Sequence, residues 1–179
     1  MHVNSRKMAV SGLLMAFDVV LIILSSVLDF NTLFFLAAAA FLIGVIVREY
    51  DLRYGLAFFL GCLILGALLA PQKLYCITYA MMGIYVLGVE YLWHFLGNHP
   101  GWKNRRMLLI LGKLILFNLM YLPALFLFPK LLFAGEVSGL LLLIFAAGGQ
   151  VALFLFDRAY DYFLIRLWEQ VREKLFGRG

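Results

Sequence analysis

Residues 32–70 read TLFFLAAAAFLIGVIV, then REYDLR, then YGLAFFLGCLILGALLA. The first and last pieces contain no charged side chain, whereas four of the six residues between them are charged. A helix needs about 20 mainly apolar residues to cross a bilayer, and somewhat fewer when protein surrounds its ends. We therefore interpret 32–47 and 54–70 as two short membrane-spanning helices that are separated by a charged turn.

The rest of the chain extends this pattern in both directions. Four further apolar stretches of spanning length lie at 8–28, 74–93, 107–128 and 137–156. The composition agrees, because the chain is 65% hydrophobic and 14% charged, against about 45–50% and about 25% in soluble domains. These values exclude a soluble enzyme, a disulfide-rich secreted domain and a disordered chain. We predict an all-α, polytopic membrane protein with six transmembrane helices; a count of five, with one short helix merged or lost, is the alternative.

The charged residues predict how the six helices are oriented. With six helices, twelve Lys and Arg residues fall on one side and two, Lys73 and Lys130, on the other. The twelve lie at the N-terminus, in the second and fourth loops and after the last span (Arg6, Lys7, Arg48, Arg53, Lys103, Arg105, Arg106, Arg158, Arg166, Arg172, Lys174 and Arg178). Positive residues collect on the cytoplasmic side of membrane proteins. We expect both termini in the cytoplasm of a bacterial cell and attribute the net charge of +5 to topology, with no nucleic-acid partner.

The end of the chain has a different character from the spans. Apolar residues at helical spacing alternate with charged ones after residue 156, namely Tyr160, Leu164, Leu167, Trp168, Val171 and Leu175. Such a pattern is typical of an amphipathic helix on a membrane surface or on a partner. We therefore divide the chain into a transmembrane domain, 1–156, and a cytoplasmic amphipathic helix and tail, 157–179.

Small residues form a stripe on the first helix. Ala9, Gly12 and Ala16 recur at spacings of three and four residues, and helices in lipid associate through such small residues. Asp18 lies about 240° around the helix from Gly12, and an acidic residue at membrane depth is expected to face the protein interior. The stripe should then face outward, as a docking face for another subunit. The alternative is that it packs inside the protein.

Ionisable and amide side chains also occur inside the predicted spans. Asp18, Glu90, Lys113 and Gln150 are predicted to lie at comparable depths and to form a buried polar layer. Glu90 and Lys113 lie on consecutive helices at similar depth, which favours a salt bridge between them. The layer is interpreted as a structural network, with a proton or ion relay as the alternative.

A second polar group lies towards the opposite, outer side. We take its members as candidate substrate-binding residues, because short outer loops with varied polar groups could close over a small molecule: Asn31, Lys73, Tyr75, Tyr79, Asn118 and Tyr121. The alternative is that they are helix caps and interface anchors.

The sequence contains none of the catalytic patterns H-E-x-x-H, C-x-x-C, G-x-x-x-x-G-K-[ST] or G-x-S-x-G. We expect no enzymatic activity, no cofactor and no metal site. Since no motif for nucleotide hydrolysis is present, any energy for transport has to come from ion gradients or from partner subunits.

Several segments together resemble one family. They are the small residues Ala9, Gly12 and Ala16 and the stretches 54–61 (YGLAFFLG), 68–71 (LLAP), 82–85 (MGIY), 113–118 (KLILFN) and 154–157 (FLFD). The pattern resembles the substrate-binding S component of energy-coupling factor (ECF) transporters, or an uncharacterised bacterial membrane family similar to it. The resemblance implies capture of a small nutrient outside the cell, docking of the first helix on a transmembrane coupling subunit, and toppling in the membrane powered by partner ATPases.

Two other functions remain open from the residues alone. The chain could be a non-transport integral membrane protein that scaffolds an envelope or signalling complex through its small-residue faces. It could also be an ion-coupled transporter that uses Asp18, Glu90 and Lys113, which would require oligomerisation because no inverted repeat is visible.

Overall fold

The computed structural model describes residues 5–28, 31–98, 104–127 and 139–176. Within these ranges the chain is helical, with short turns between the helices. The helices are α1 (Ser5–Val27), α2 (Thr32–Glu49), α3 (Leu52–Leu69), α4 (Lys73–Gly97), α5 (Arg105–Leu127), α6 (Gly139–Tyr162) and α7 (Glu169–Phe176), with a π-helical segment, Phe163–Trp168, between α6 and α7. They belong to two compact units, Met1–His94 and Phe95–Gly179.

Six of the described helical stretches are long and apolar enough to cross a membrane, as the sequence predicts. They are Met8–Val27, Thr32–Glu49, Leu52–Leu69, Lys73–Gly97, Arg105–Phe126 and Gly139–Arg172. The two short helices are separate, so the five-helix alternative is wrong. The fold is that of a multi-pass helical membrane protein.

The turn between α2 and α3 is shorter than the charged run suggests. Arg48 and Glu49 belong to the last turn of α2, and α3 begins at Leu52, so Tyr50 and Asp51 alone connect the two helices. The carboxylate of Asp51 accepts a hydrogen bond from the backbone N–H of Leu52, 2.7 Å away. Because the carboxylate satisfies an N–H that lacks an intrahelical partner, α3 can start two residues before its apolar stretch.

In the first unit, α1, α2 and α3 pack on one another, and α2 is the most buried of them. Every residue from Ala39 to Val47 is buried, which fits a helix that is apolar on all sides. Close approach depends on glycine: a Cβ at Gly55 would overlap Val47, and one at Gly83 would overlap the ring of Phe59. Small residues of α3 and α4 therefore set the helix spacing here.

The second unit contains α5, α6 and α7. Most of the described apolar residues of α5 and α6 are exposed, among them Ile115, Leu119, Leu143 and Phe154. The buried residues of α6 include Gly149, Leu153 and Tyr160. The outer surfaces of these two helices are therefore apolar, as expected for contact with lipid or with another protein.

Helix α6 continues past residue 156 without a non-helical break, through the π-helical segment into α7. Tyr160, Leu164 and Trp168 of the predicted apolar stripe are buried, whereas Leu167 and Val171 are exposed; Leu175 lies outside the described side chains. The segment is thus helical, as predicted, but it extends α6, and the predicted domain boundary at 156 falls inside a continuous helix.

Candidate functional site

Asp18 and Tyr79 form the most deeply buried polar pair of the first unit. Both side chains are 0% exposed, and the hydroxyl of Tyr79 on α4 donates a hydrogen bond to Asp18 Oδ2 on α1, with the two oxygens 2.9 Å apart. The ring of Phe59 packs beside Tyr79, with centroids 5.8 Å apart. The buried thiol of Cys62 on α3 is a further polar neighbour. Three helices thus contribute to the surroundings of one carboxyl group.

The second oxygen of this carboxyl group is not satisfied. Asp18 Oδ1 is buried and has no hydrogen-bond partner among the described residues. A buried polar atom without a partner costs about 1–3 kcal/mol. Intramembrane acidic residues are rare for this reason and usually serve a function. Asp18 is therefore the leading candidate for a functional group in α1–α4.

Glu90 is the second buried acidic residue of this unit. It is 3% exposed, and it is bound by the guanidinium of Arg48 at the end of α2. Arg48 Nη2 lies 2.9 Å from Oε1, and Nε lies 3.1 Å from Oε1 and 3.2 Å from Oε2. Two nitrogens on two oxygens make a bidentate pair, which fixes orientation as well as charge. This pair ties the C-terminal part of α4 to the end of α2.

Glu90 and Lys113, which are predicted to pair, lie in different compact units, and each binds a residue of its own unit. Lys113 on α5 instead binds Asp157 on α6, with Nζ 2.7 Å from Oδ1 and 2.9 Å from Oδ2. Similar depth along two helix axes does not determine which faces meet, and depth was the argument for the predicted pair. Glu90 and Lys113 each form an ion pair, as expected for charges in a span, but each has a partner that the sequence pattern places in a loop or a tail.

Amide and hydroxyl groups continue the polar contacts between α5 and α6. Gln150 Nε2 donates to Asn118 Oδ1 at 2.8 Å, and Asn118 Nδ2 donates to Gln150 Oε1 at 3.3 Å. Further along, the Tyr121 hydroxyl donates to the backbone carbonyl of Phe145 at 2.8 Å. The pairs 113–157, 118–150 and 121–145 advance along α5 while they retreat along α6, so the helices are antiparallel and joined by a polar seam.

The predicted polar layer is therefore divided among different partners. Asp18 contacts Tyr79, Glu90 contacts Arg48, Lys113 contacts Asp157 and Gln150 contacts Asn118. Of the predicted substrate-binding residues, Tyr79, Asn118 and Tyr121 use their polar groups in these same helix-to-helix contacts. Their roles in binding a substrate remain predictions.

The other predicted substrate-binding residues lie near helix ends. Lys73 Nζ donates to the backbone carbonyls of Ala67 and Ala70 at the C-terminus of α3, at 3.0 Å in the case of Ala70. A cation is favourable there because it satisfies carbonyls that lack intrahelical partners. Asn31 is exposed at the start of α2 without a side-chain capping bond, and Tyr75 is half-buried on α4.

The small-residue stripe of α1 lies on the outside. Ala9, Gly12 and Ala16 are exposed, and a Cβ at Gly12 would meet no atom within 4 Å. Asp18 on the same helix is fully buried. Asp18 and the small residues therefore lie on different faces of α1, as the predicted angle of about 240° between Gly12 and Asp18 requires.

Two site residues were assigned other roles in the sequence analysis. Arg48 was counted as a topology-determining loop residue, and Asp157 was placed in the amphipathic tail. The sequence does contain an indication that Asp157 is the partner of Lys113. If Asn118 pairs with Gln150 on antiparallel helices, residue 113 of one helix lies close to residue 157 of the other. No group of three or more His, Cys, Asp or Glu side chains that could hold a metal ion occurs in the described ranges.

Comparisons with known proteins give no relative: no family model, no curated protein and no solved structure matches the chain. The assigned class is therefore the one that the fold defines, a multi-pass helical membrane protein.

Proposed function

We propose that the chain is the membrane-embedded substrate-capture subunit of an ECF-type importer in a bacterial plasma membrane. It would bind a small nutrient on the outer side and rely on a transmembrane coupling subunit and partner ATPases for energy. Both termini lie in the cytoplasm in this proposal, and the chain itself performs no enzymatic step.

The observation that carries the proposal is the outward stripe of α1. Ala9, Gly12 and Ala16 are exposed, so backbones could approach closely there, which is how helices associate in lipid. The resemblance of the sequence assigns coupling-subunit docking to these same residues. The buried Asp18 on the opposite side holds α1 to α4 through Tyr79, which leaves the stripe available to a partner.

The test is co-purification from native membranes. Gly12→Leu combined with Ala16→Leu should abolish recovery of a coupling subunit, because large side chains would block close backbone approach. Folding should persist, since Gly12 has open space around it. Gly148→Leu is the matched control, because Gly148 is also an exposed helical glycine with no atom within 4 Å of an added Cβ. Unchanged partner recovery in the double variant would contradict the docking role.

The orientation of the chain in the membrane has its own test, because the proposal places nutrient binding on the outer side and both termini in the cytoplasm. Single cysteines at Asn31 and at Tyr50, in a chain whose Cys62 and Cys76 are replaced by alanine, should react with a membrane-impermeant thiol reagent from opposite sides. Labelling of residue 31 from outside and of residue 50 from inside is expected from the charge distribution. The reverse pattern would contradict cytoplasmic termini.

The second candidate function is a scaffold for an envelope or signalling complex. The observation that favours it is the exposed apolar surface of α5 and α6, on which Leu119, Leu143 and Phe154 are each more than 60% exposed. Co-purification with non-transport membrane proteins, in the absence of ATPase subunits and bound nutrient, would support the scaffold and contradict the importer.

A further inference from the structure

An open groove lies on the surface of the first unit, near the turn between α2 and α3. Its volume is about 220 Å³. It is lined by residues of α1, α2 and α3 and of the turn (Ser11, Gly12, Met15, Ile46, Tyr50, Tyr54, Ala57 and Phe58). Most of these side chains are apolar, and the helices that carry them have spanning length. The walls of the groove are therefore suited to contact with a hydrocarbon chain.

The two ends of the groove differ in polarity. Much of the lining is apolar, including Gly12 and Met15 of α1 and Ala57 and Phe58 of α3. At the end near the turn, the hydroxyl of Ser11 donates to the hydroxyl of Tyr50 at 2.7 Å, and the rings of Tyr50 and Tyr54 lie 5.7 Å apart. Tyrosine is enriched at membrane–water interfaces because its ring is apolar and its hydroxyl is polar. This end is thus at the level of lipid headgroups.

A cation is placed at this polar end. Arg53 is exposed and precedes the groove-lining Ala57 by one helical turn, so the two residues share a face of α3. Among the residues that the structure describes, Arg53 has no hydrogen-bond or ion-pair partner. Its charged neighbours have contacts of their own: Arg48 binds Glu90, Asp51 accepts from the Leu52 N–H, and Glu49 also has a partner. The positive charge of Arg53 is thus available to an anion.

The size and shape of the groove decide between possible occupants. Pockets for drug-sized ligands have volumes of about 300–1,000 Å³ and bury most of the ligand, whereas this groove is smaller and open. An elongated hydrocarbon chain that lies against the surface, with an anionic group at the arginine, fits both the apolar walls and the charged end. Guanidinium groups bind phosphate oxygens in a bidentate manner.

We propose that this groove binds an anionic phospholipid, with an acyl chain against Gly12 and Ala57 and the phosphate on the guanidinium of Arg53. The site does not depend on the proposed transport function, because it needs only the first unit and the surrounding bilayer. It overlaps the docking stripe at Gly12 alone, since Ala9 and Ala16 do not line the groove.

The test uses the purified full-length chain with no partner protein present. The chain is equilibrated in mixed micelles that contain equal amounts of phosphatidylglycerol and phosphatidylcholine, and the retained lipids are counted by native mass spectrometry. We expect retention of phosphatidylglycerol over phosphatidylcholine by at least about fivefold, which corresponds to roughly 1 kcal/mol of headgroup preference. Equal retention of the two lipids would overturn the proposal.

Two substitutions separate headgroup binding from acyl-chain binding. Arg53→Gln should remove the preference for phosphatidylglycerol and leave phosphatidylcholine retention unchanged. Arg158→Gln is the matched control, because it removes the same charge from an exposed position on α6 and should keep the preference. An equal loss of preference in both variants would show a general charge effect and would overturn the assignment to Arg53.

Substitutions that place a larger side chain in the groove test whether it binds an acyl chain. Ala57→Leu and, separately, Gly12→Leu should each reduce retention of both lipids by at least about threefold, whereas Gly148→Leu should not. Two groove variants are used so that the result does not depend on the folding of one of them, and size-exclusion chromatography monitors that folding. Retention unchanged in both folded variants would overturn the proposal, and it would do so without bearing on coupling-subunit docking.

Discussion

Helices α1–α4 and helices α5–α6 have similar hydropathy but very different burial. Of the spanning windows in the first group, 28% to 56% of the residues are buried, whereas the value is 6% for both α5 and the α6 window. The four-helix group has an apolar core with few, fully buried polar groups. The α5–α6 pair is joined by a seam of partly exposed polar contacts.

Two kinds of helix association therefore operate in one chain. In lipid, apolar burial does not by itself drive helices together, so close packing and interhelical hydrogen bonds decide. The first unit relies on close packing at Gly55, Gly66 and Gly83. The second relies on the pairs Lys113–Asp157 and Asn118–Gln150. The predictions below test this comparison, in order of decreasing effect.

The largest effect is expected at Arg48 in the first unit. Arg48→Met leaves Glu90 as an uncompensated charge with a side chain that is 4% exposed. Because the Arg48 side chain is 37% exposed, water can reach the pair, and the free energy of unfolding should fall by about 2–3 kcal/mol, less than the roughly 3–5 kcal/mol of a fully buried pair. SDS-induced unfolding in detergent micelles would measure this loss. The double variant Arg48→Met, Glu90→Leu should recover much of the stability, whereas additive losses would show that the two side chains act independently.

The next effect is expected at Tyr79. Tyr79→Phe removes the hydrogen bond to Asp18 Oδ2 and leaves the buried carboxyl group without the tyrosine donor. The free energy of unfolding should fall by about 1–3 kcal/mol. Asp18→Leu in the Tyr79→Phe background should restore part of it, because neither polar group then remains buried. If Tyr79→Phe is neutral in the same unfolding titration, the pair does not stabilise the α1–α4 core.

A smaller effect is expected in the second unit, at two adjacent glycines. A Cβ at Gly149 would overlap the ring of Tyr121, whereas a Cβ at Gly148 would meet nothing within 4 Å. Gly149→Ala should lower the free energy of unfolding by about 1–2 kcal/mol, because overpacking outweighs the gain in helix propensity. Gly148→Ala should be neutral or stabilising. Equal behaviour of the two variants in thermal unfolding would mean that α5 and α6 are not in close contact at this level.

The smallest effect is expected from the amide pair. Asn118→Leu combined with Gln150→Leu removes both reciprocal hydrogen bonds and leaves no unpaired amide. Interhelical hydrogen bonds in membranes contribute about 0.6 kcal/mol on average, so the free energy of unfolding should change by less than about 1.5 kcal/mol. Thermal unfolding in detergent would measure it. A loss above 3 kcal/mol would mean that the polar seam controls the stability of the second unit far more than interhelical bonds elsewhere do.

The sequence predicts the positions of the helices well, but it predicts poorly which side chains pair between helices. The six spans follow from the length of apolar stretches and from the charged residues that end them, as in the run from Arg48 to Arg53. Pairing depends on which faces meet, and depth along a helix contains no information on that. Lys113 and Glu90 were paired on depth alone, and each has a different partner.

For the candidate site, the sequence predicts which faces of α1 carry Asp18 and Gly12, but it does not predict the partner of Asp18. The interior position of Asp18 and the exterior position of Gly12 follow from the helical period, because one angle relates the two residues. Tyr79 as the partner of Asp18 did not follow, since a tyrosine near a predicted interface has many possible neighbours. The π-helical segment has no recognisable signal in its sequence, FLIRLW.

That π-helical segment has a mechanical consequence. The helix window from Gly139 to Arg172 contains 34 residues, which is roughly 51 Å of helix against a hydrocarbon core of about 30 Å, so its end projects beyond the bilayer. Sharp bends of helices, of about 20° or more, are found at wide turns of this type among other places. With α7 acting as a lever arm of roughly 12 Å, such a bend at Phe163–Trp168 moves the tip by roughly 4 Å. A bend of this size at Phe163–Trp168 would therefore convert a small rotation of the helix into a displacement of its end.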